Sequence, residues 1–299
     1  MDRQKAKHLV IKAGFELVNS GLIARTWGNV SCRIDDKTFV ITPSGRSYST
    51  LRPEDIVEVS ISDLSYQGSI KPSSEKGIHA EVYRQFPNIN FVVHTHQEKA
   101  SALSAAGLGA IPVPEVTPTF SREVLCAKYA LPGTKALRKN VSETLGQSKS
   151  NAVILKNHGA LCYGKDYDST LKTAYDLEDI CRDFIDTKSR EDGLSPSEPI
   201  DDTAPIPSLL KEAKKSILAE KGGYVVLNTD PDVIRYSHMT KPLRPYLDDF
   251  AQIIGLKASI VENNKSLISK ALSHSSAVFI KTPAHCVGGK MKWMQKQRA

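Results

Sequence analysis

The chain has 299 residues, of which 40% are hydrophobic and 24% charged, a composition that fits a globular protein with one large or two medium cores and excludes a disordered chain. Its net charge of +7 comes from residues 205–299, which hold 15 Lys and Arg against 7 Asp and Glu, and we interpret this excess as a solvated basic tail rather than a nucleic-acid site. No apolar run approaches the roughly 20 residues of a membrane span, and residues 1–8 lack a signal-peptide core, so we expect a cytoplasmic protein without a membrane partner.

Hydrophobic periodicity predicts helices and strands throughout residues 1–190. An amphipathic helix is expected first, and three short strands separated by turns follow it. The predicted helices cover residues 4–20, 75–85, 99–106 and 167–188. The predicted strands cover residues 29–34, 38–42, 56–61, 91–96 and 152–156. Helices packed on an antiparallel sheet make a layered α/β domain.

Three histidines occur at the ends of two of these strands. His94 and His96 are two residues apart, so both imidazoles face the same side of a strand. His158 follows the next apolar run, and Glu75 would supply a carboxylate from the start of a helix. Taken alone, the HxH pair is as often an ordinary pair of core or surface histidines. The four residues together predict a site for a divalent metal.

Three short segments with Gly or Ser accompany these residues, at 26–31, 42–45 and 72–75. Glycine lets the backbone approach an anion, and hydroxyl and free N–H groups donate hydrogen bonds, especially where Ser73 and Ser74 begin a helix. Each segment alone is better explained as a turn or a helix N-cap. Together they could hold a phosphate without lysine.

Residues 191–208 are rich in Pro, Ser and acidic residues and have no apolar period. This predicts a linker between a domain at residues 1–190 and a smaller α/β domain at residues 209–299.

Part of the second domain is similar in sequence to part of the first. Residues 277–290 match residues 152–165 at a constant offset of 125 without gaps. The match indicates a degenerate half repeat, and chance similarity between two strand-and-turn units is the alternative. Pro283 occupies the position of His158, so no metal chemistry is expected in the second domain.

The order GNVS, TPSG, PSSE, HTH and NHG within residues 21–165 resembles the class II aldolase/adducin family, and within it most of all the fuculose-1-phosphate aldolases. The resemblance covers the first 190 residues. It implies an α/β fold, with a three-layer α/β/α domain around a nine-stranded, mostly antiparallel sheet. It also implies a homo-oligomer, with a cyclic tetramer favoured and active sites between subunits.

The resemblance further implies roles for individual residues. His94, His96 and His158 would bind Zn²⁺ with Glu75 as fourth ligand. The positions that would hold the substrate phosphate are Gly28, Asn29, Ser44, Gly45, Ser73 and Ser74. The implied enzyme is a lyase of carbohydrate metabolism that cleaves a sugar phosphate, a ketose 1-phosphate, to dihydroxyacetone phosphate and an aldehyde. The reaction would pass through a metal-stabilised enediolate, with Glu75 as the base.

The aldehyde side of the site departs from the family pattern. Val116 and Pro132 stand where the pattern has a tyrosine and a phenylalanine, and Tyr129 is the nearby phenol that we expect to act as the acid. Glutamate at position 75 favours an aldolase over the pentulose-phosphate 4-epimerases, which have aspartate there. The alternatives are an epimerase, dehydratase or decarboxylase on the same metal site, or a non-catalytic adducin-like binding module. The intact ligand set argues against the binding module.

Overall fold

The computed structural model describes residues 1–23, 26–191, 224–228, 236, 239, 241–262, 264–281 and 292–297. The chain forms two compact units, Met1–Gly193 and Leu194–Ala299. Apart from its first residue, the predicted linker at 191–208 lies outside the described residues, and so do residues 282–290 of the predicted repeat, with Pro283 among them. Within the described part of the chain, no helix combines the length and the apolar character needed to cross a membrane.

Five helices and eight strands build the first unit. The helices are α1 (Arg3–Asn19), α2 (Lys76–Gln85), α3 (Glu98–Ala105), α4 (Lys135–Leu145) and α5 (Tyr167–Glu191) among the described residues. The strands there are β1 (Asn29–Arg33), β2 (Thr38–Ile41), β3 (Val57–Ser60), β4 (Phe91–Thr95), β5 (Ala110–Pro112), β6 (Glu123–Ala127), β7 (Ala152–Leu155) and β8 (Gly159–Gly164). Two short 3-10 turns, Tyr48–Thr50 and Pro53–Asp55, lie between β2 and β3.

The strands of this unit form one sheet in the order β3-β2-β1-β4-β8-β7-β6-β5. Neighbouring strands are antiparallel except β6 and β7, which are parallel. The parallel pair arises because the chain leaves β6, passes through α4 and returns to β7 in the same direction, as a helical crossover requires. The expected nine-stranded, mostly antiparallel sheet is therefore corrected to an eight-stranded mixed sheet in the part of the chain that the structure describes.

Helices cover both faces of the sheet, and each face has its own apolar core. Residues of α1, α3 and α5 pack on one face, and residues of α2 and α4 pack on the other. Strand β4 shows how the alternation of side chains divides the two cores: Phe91 and Val93 join the first, and Val92 joins the second. The same alternation directs His94 to the face covered by α2.

The second unit is also α/β. Its described helices are α6 (Asp248–Ile253) and α7 (Lys265–His274), and its described strands are β9 (Tyr224–Asn228), β10 (Ser259–Val261), β11 (Ala277–Ile280) and β12 (Lys292–Gln297). The strand order is β10-β11-β12-β9, with β10 parallel to β11 and the other pairs antiparallel. The succession β10-α7-β11-β12 thus has the same strand directions as β6-α4-β7-β8 in the first unit.

Candidate metal centre

Three histidines and one glutamate meet on the α2 side of the sheet. His94 belongs to β4 and pairs with Leu161 of β8, and His96 follows directly after β4. His158 lies in the turn between β7 and β8, and Glu75 is the N-cap residue of α2. The structure therefore brings the four predicted ligands together, with their ligand atoms within 4.8 Å of one another.

The spacing of these atoms suits one bound ion. The Nε2 atom of His94 lies 3.0 Å from Nε2 of His158 and 3.0 Å from Nε2 of His96. The Glu75 oxygens lie 3.2 Å from Nε2 of His94 and 3.3 Å from Nε2 of His158. Tetrahedral ligands at about 2.0 to 2.1 Å from an ion are separated from each other by roughly 3.3 Å. The observed separations are close to that value.

The orientation of the His94 ring also suits a ligand. Its Nδ1 atom lies 2.9 Å from the carbonyl oxygen of Ala160. A carbonyl can only accept, so Nδ1 carries the proton and donates, and the lone pair of Nε2 faces the other ligands. A backbone carbonyl that fixes the tautomer in this way is the usual partner of a metal-binding histidine.

Glu75 has the electrostatic character of a ligand. It is only 8% exposed. Burial raises the pKa of this carboxyl, but the adjacent His94, His158 and His96 outweigh burial and hold the pKa well below its usual value, so the group stays ionised. Its Oε1 atom accepts no hydrogen bond from the described residues. A buried carboxylate oxygen without a donor fits a position beside a bound cation.

Two glycines allow the chain to pass close to the ligand strand. A Cβ on Gly159 would lie 2.2 Å from the carbonyl oxygen of Thr95, and a Cβ on Gly28 would lie 2.6 Å from that of His94. Gly28 also has φ +95°, a conformation that a residue with a side chain rarely adopts. Both positions therefore require glycine for β4 to stay in place.

Two of the predicted phosphate-binding segments lie side by side next to Glu75. Pro43 and Pro72 form an isolated β-bridge, and the N–H of Ser44 donates to the carbonyl oxygen of Lys71 at 3.0 Å. Ser44 and Gly45 are exposed. Their contact with a phosphate stays a prediction.

Ser73, Ser74 and Asn29 have different surroundings. The hydroxyl of Ser73 is buried and accepts a hydrogen bond from the N–H of Glu75 at 3.2 Å, whereas Ser74 is exposed. The Nδ2 group of Asn29 donates to Oε2 of Glu75 at 3.1 Å. The side chain of Asn29 therefore contacts Glu75, one of the four predicted ligands.

Three buried residues continue from Asn29 into the core: Ser31, which belongs to the predicted segment 26–31, and His79 and Tyr83, which the sequence patterns do not single out. Oδ1 of Asn29 lies 2.5 Å from Nε2 of His79, and Nδ1 of His79 lies 2.6 Å from the hydroxyl of Ser31. The Ser31 hydroxyl is 2.7 Å from that of Tyr83. The signal was present in the spacing, since residues 75, 79 and 83 lie on one stripe of α2. Burial, reinforced by the nearby His94, lowers the pKa of His79 to about 3, so its ring is neutral.

The predicted acid, Tyr129, follows β6. Ala127 of β6 pairs with Leu155 of β7 in the parallel direction, so Tyr129 and His158 follow their strands at the same edge of the sheet. Tyr129 is 45% exposed, and Val116 is 61% exposed. The role of Tyr129 stays a prediction.

Comparison with known proteins supports this description. The model of the Class II Aldolase and Adducin N-terminal domain matches residues 8–185. The structure of an L-fuculose 1-phosphate aldolase is similar, with 26% identity, a TM-score of 0.58, and coverage of 73% of this chain and 95% of its own. An L-fuculose-1-phosphate aldolase from Thermus thermophilus also has 26% identity, with a TM-score of 0.52 and coverage of 66% and 99%. YgbL from Klebsiella pneumoniae, described as a candidate aldolase/epimerase/decarboxylase, shares the fold at 24% identity and a TM-score of 0.57, with coverage of 64% and 93%.

Proposed function

The chain belongs to the family of the Class II Aldolase and Adducin N-terminal domain, and from this premise we propose that it is a zinc-dependent aldolase that cleaves a ketose 1-phosphate. The products are dihydroxyacetone phosphate and an aldehyde. The observation that carries the proposal is the cluster of Glu75, His94, His96 and His158, in which the His94 tautomer is fixed and a buried Glu75 oxygen lacks a donor.

Zinc suits this set of ligands because imidazole nitrogen and carboxylate oxygen are typical zinc ligands, whereas magnesium and calcium prefer oxygen ligands. His94, His96 and His158 would hold the ion, and Glu75 would be the fourth ligand. When bound, the ion supplies a Lewis acid that stabilises the negative charge of the enediolate.

The protein's own groups move the protons. In the cleavage direction, Tyr129 acts as the phenolate: its oxygen takes the proton of the C4 hydroxyl while the C3–C4 bond breaks to give the aldehyde. The electron pair of that bond remains on the C3 side. Glu75, which has taken up a proton from solvent, gives that proton to C3 to complete dihydroxyacetone phosphate, and Tyr129 returns its proton to solvent. The same groups act in reverse during synthesis, when the Glu75 carboxylate removes the C3 proton and Tyr129 protonates the aldehyde oxygen.

The phosphate group lies against the loops beside Glu75. Ser44, Gly45 and Ser74 are exposed there and offer hydroxyl and N–H donors. Gly28, Asn29 and Ser73 complete the proposed set, although the contacts of Asn29 and Ser73 show that both also hold Glu75 in place.

A second candidate is an epimerase, dehydratase or decarboxylase on the same metal site. Its support is the aldehyde side, where Val116 and Pro132 replace the tyrosine and phenylalanine that the family resemblance leads one to expect. Glu75 favours the aldolase. The buried and oriented ligand set is unexpected for a non-catalytic adducin-like module, which needs no such cluster.

Residues 209–299 serve as an accessory domain in this proposal, and the enzyme works as a homo-oligomer, a tetramer by the family resemblance. The common arrangement of β10-α7-β11-β12 and β6-α4-β7-β8 supports an origin as a degenerate half repeat. In this proposal the first domain spans residues 1–190 and the linker spans residues 191–208.

A direct assay tests the reaction. The purified chain is stripped with EDTA, reloaded with Zn²⁺ and mixed with a panel of ketose 1-phosphates, and release of dihydroxyacetone phosphate is followed through NADH oxidation by a coupling dehydrogenase. We expect release only after reloading, and none from the double variant His94→Ala/His96→Ala. Metal-dependent consumption of substrate without dihydroxyacetone phosphate would support the second candidate instead.

A further inference from the structure

A continuous line of buried hydrogen bonds runs from the candidate metal centre into the core. It joins Glu75, Asn29, His79, Ser31 and Tyr83 through four contacts of 3.1, 2.5, 2.6 and 2.7 Å. All five side chains are buried. We call these residues the buried chain.

The buried chain forms because α2 and β1 run side by side and their side chains recur at nearly the same spacing. Residues four apart in a helix advance about 6.0 Å, and residues two apart in a strand advance about 6.8 Å. Positions 75, 79 and 83 of the helical stripe therefore meet positions 29, 31 and 33 of the strand. At the far end, Arg33 donates to the Tyr83 carbonyl oxygen at 2.6 Å and lies over the Tyr83 ring at 4.7 Å. Those contacts fix the end of the helix against the strand.

The orientation of the Asn29 amide gives the buried chain one direction. Its NH₂ group faces Oε2 of Glu75 and donates to it, and its oxygen, which can only accept, faces His79. His79 must then donate from Nε2, and its neutral ring has a lone pair at Nδ1. Ser31 donates to that lone pair and accepts from the Tyr83 hydroxyl. Each donor therefore points toward the carboxylate.

We infer that His79 is a positioning residue for the metal centre: its Nε2–H locks the Asn29 amide in the orientation that holds Oε2 of Glu75. This distinguishes the two oxygens of Glu75. Asn29 holds Oε2, while Oε1, which has no donor among the described residues, is left for the ion or for a proton. The inference rests on the proposed metal site but not on the identity of the substrate.

The first test needs no variant beyond the one used for assignment. Long-range ¹⁵N–¹H correlation spectra of the zinc-loaded protein report which ring nitrogen of each histidine carries a proton, and the His79 signals are assigned by their loss in His79→Gln. We expect a neutral His79 ring with the proton on Nε2 from pH 8 down to pH 5. A proton on Nδ1, or a ring that becomes charged near its ordinary pKa, would overturn the inference.

The second test measures zinc affinity by competition with a chromogenic chelator. Loss of a residue that orients a metal ligand typically weakens metal binding by about 10- to 100-fold, and we expect this for His79→Leu. In His79→Gln the amide nitrogen replaces Nε2–H as a donor to Asn29, so zinc affinity should stay within about threefold of the unchanged protein. A residue that only fills space would show no such rescue.

Two tyrosines supply a matched control. Tyr83 and Tyr163 belong to the same core cluster, but Tyr163 donates to the carbonyl oxygen of Ser150, outside the buried chain. Tyr83→Phe should shift the ¹⁵N signal of His79 Nδ1, while Tyr163→Phe should leave that signal and zinc affinity unchanged. Equal zinc affinity in folded His79→Leu, His79→Gln and the unchanged protein would contradict the inference. Because none of these measurements uses turnover, failure of the aldolase proposal would be seen separately.

Discussion

Replacing Gly159 by alanine tests how closely β8 approaches the ligand strand. The added Cβ would lie 2.2 Å from the carbonyl oxygen of Thr95, between His94 and His96. Contacts between a Cβ and an oxygen are essentially never shorter than 3.0 Å. The two strands must therefore separate by nearly 1 Å, whereas metal–ligand distances tolerate changes of only about 0.2 Å.

Two effects follow from that separation. Overpacking in a closely packed region costs about 1 to 3 kcal/mol, which for a domain of this size corresponds to a fall in Tm of roughly 2 to 12 °C. His158 directly precedes the altered residue, so it is displaced from His94 and zinc affinity should fall by at least about 10-fold. Chelator competition and thermal unfolding of the stripped protein measure the two effects independently.

Gly109→Ala is the matched control. A Cβ at Gly109 meets no heavy atom within 4 Å. Its unfolding temperature should be unchanged or slightly raised, since alanine restricts the unfolded chain more than glycine does. If Gly159→Ala binds zinc and unfolds as Gly109→Ala does, then β8 does not pass Thr95 as closely as the structure places it, and the geometry of the metal centre is wrong.

Four further predictions follow from the same geometry. Glu75→Gln should lower turnover by roughly 100-fold, because the amide cannot accept the C3 proton, while metal content measured by atomic emission changes much less; near-normal turnover would assign the base elsewhere. Burial lowers the pKa of His79 from 6.5 to about 3, so the unfolded state binds the extra proton first as pH falls through that window, and the folded state loses up to about 1.4 kcal/mol per pH unit. In urea titrations of the metal-free protein, the stability advantage over His79→Gln should therefore shrink as pH falls below 6.5, and a constant difference would argue against a neutral buried ring. Ser44→Ala and Ser74→Ala should each weaken the binding of phosphorylated substrates, measured by calorimetry, by about 1.5 to 3 kcal/mol, with little effect on unphosphorylated analogues. Equal losses for both kinds of ligand would exclude a phosphate contact. Truncation after Asp202 should leave zinc bound but change the stability, the substrate choice or the oligomer size, the last measured by light scattering. If none of these properties changes, residues 209–299 are an independent module.

The secondary structure of the first unit is predictable from sequence where one side of an element faces a core. In α1, the buried residues Ala6, Val10, Ala13 and Leu17 form an apolar stripe, and the predicted helix at residues 4–20 agrees with Arg3–Asn19. Strand β8 is not predicted from its sequence, because it begins at Gly159 and ends at Gly164, and glycine is depleted in strands and typical of turns. Helix α4 was also missed, although Leu137, Val141 and Leu145 are spaced for one helical face and Thr134 caps its start.

Strand order cannot be derived from local patterns. The resemblance implied nine strands, and the mixed eight-stranded order depends on the crossover through α4, which pairs β6 with β7 over a long stretch of sequence. Long-range pairings of this kind are determined by packing of whole elements rather than by the residues of either strand.

The predicted metal ligands can be found from the sequence, but the residues that hold them in place cannot. Each residue of the candidate metal centre is of a type that binds metals and stands where an element begins or ends, so sequence patterns predict the cluster of Glu75 and the three histidines that the structure brings together. His79 lies within a helix, where a histidine is usually a satisfied core residue. Its role is visible only once α2 packs on β1 and brings Ser31 and Asn29 to its two ring nitrogens.

Deuterium exchange at C3 of dihydroxyacetone phosphate is the most direct test of the central claim, because this half-reaction needs no aldehyde. The zinc-loaded protein is mixed with dihydroxyacetone phosphate in D₂O, and loss of the C3 proton signal is followed by ¹H NMR. We expect exchange that requires zinc and falls by roughly 100-fold in Glu75→Gln. Background exchange by a protein that demonstrably holds one zinc ion per chain would contradict it.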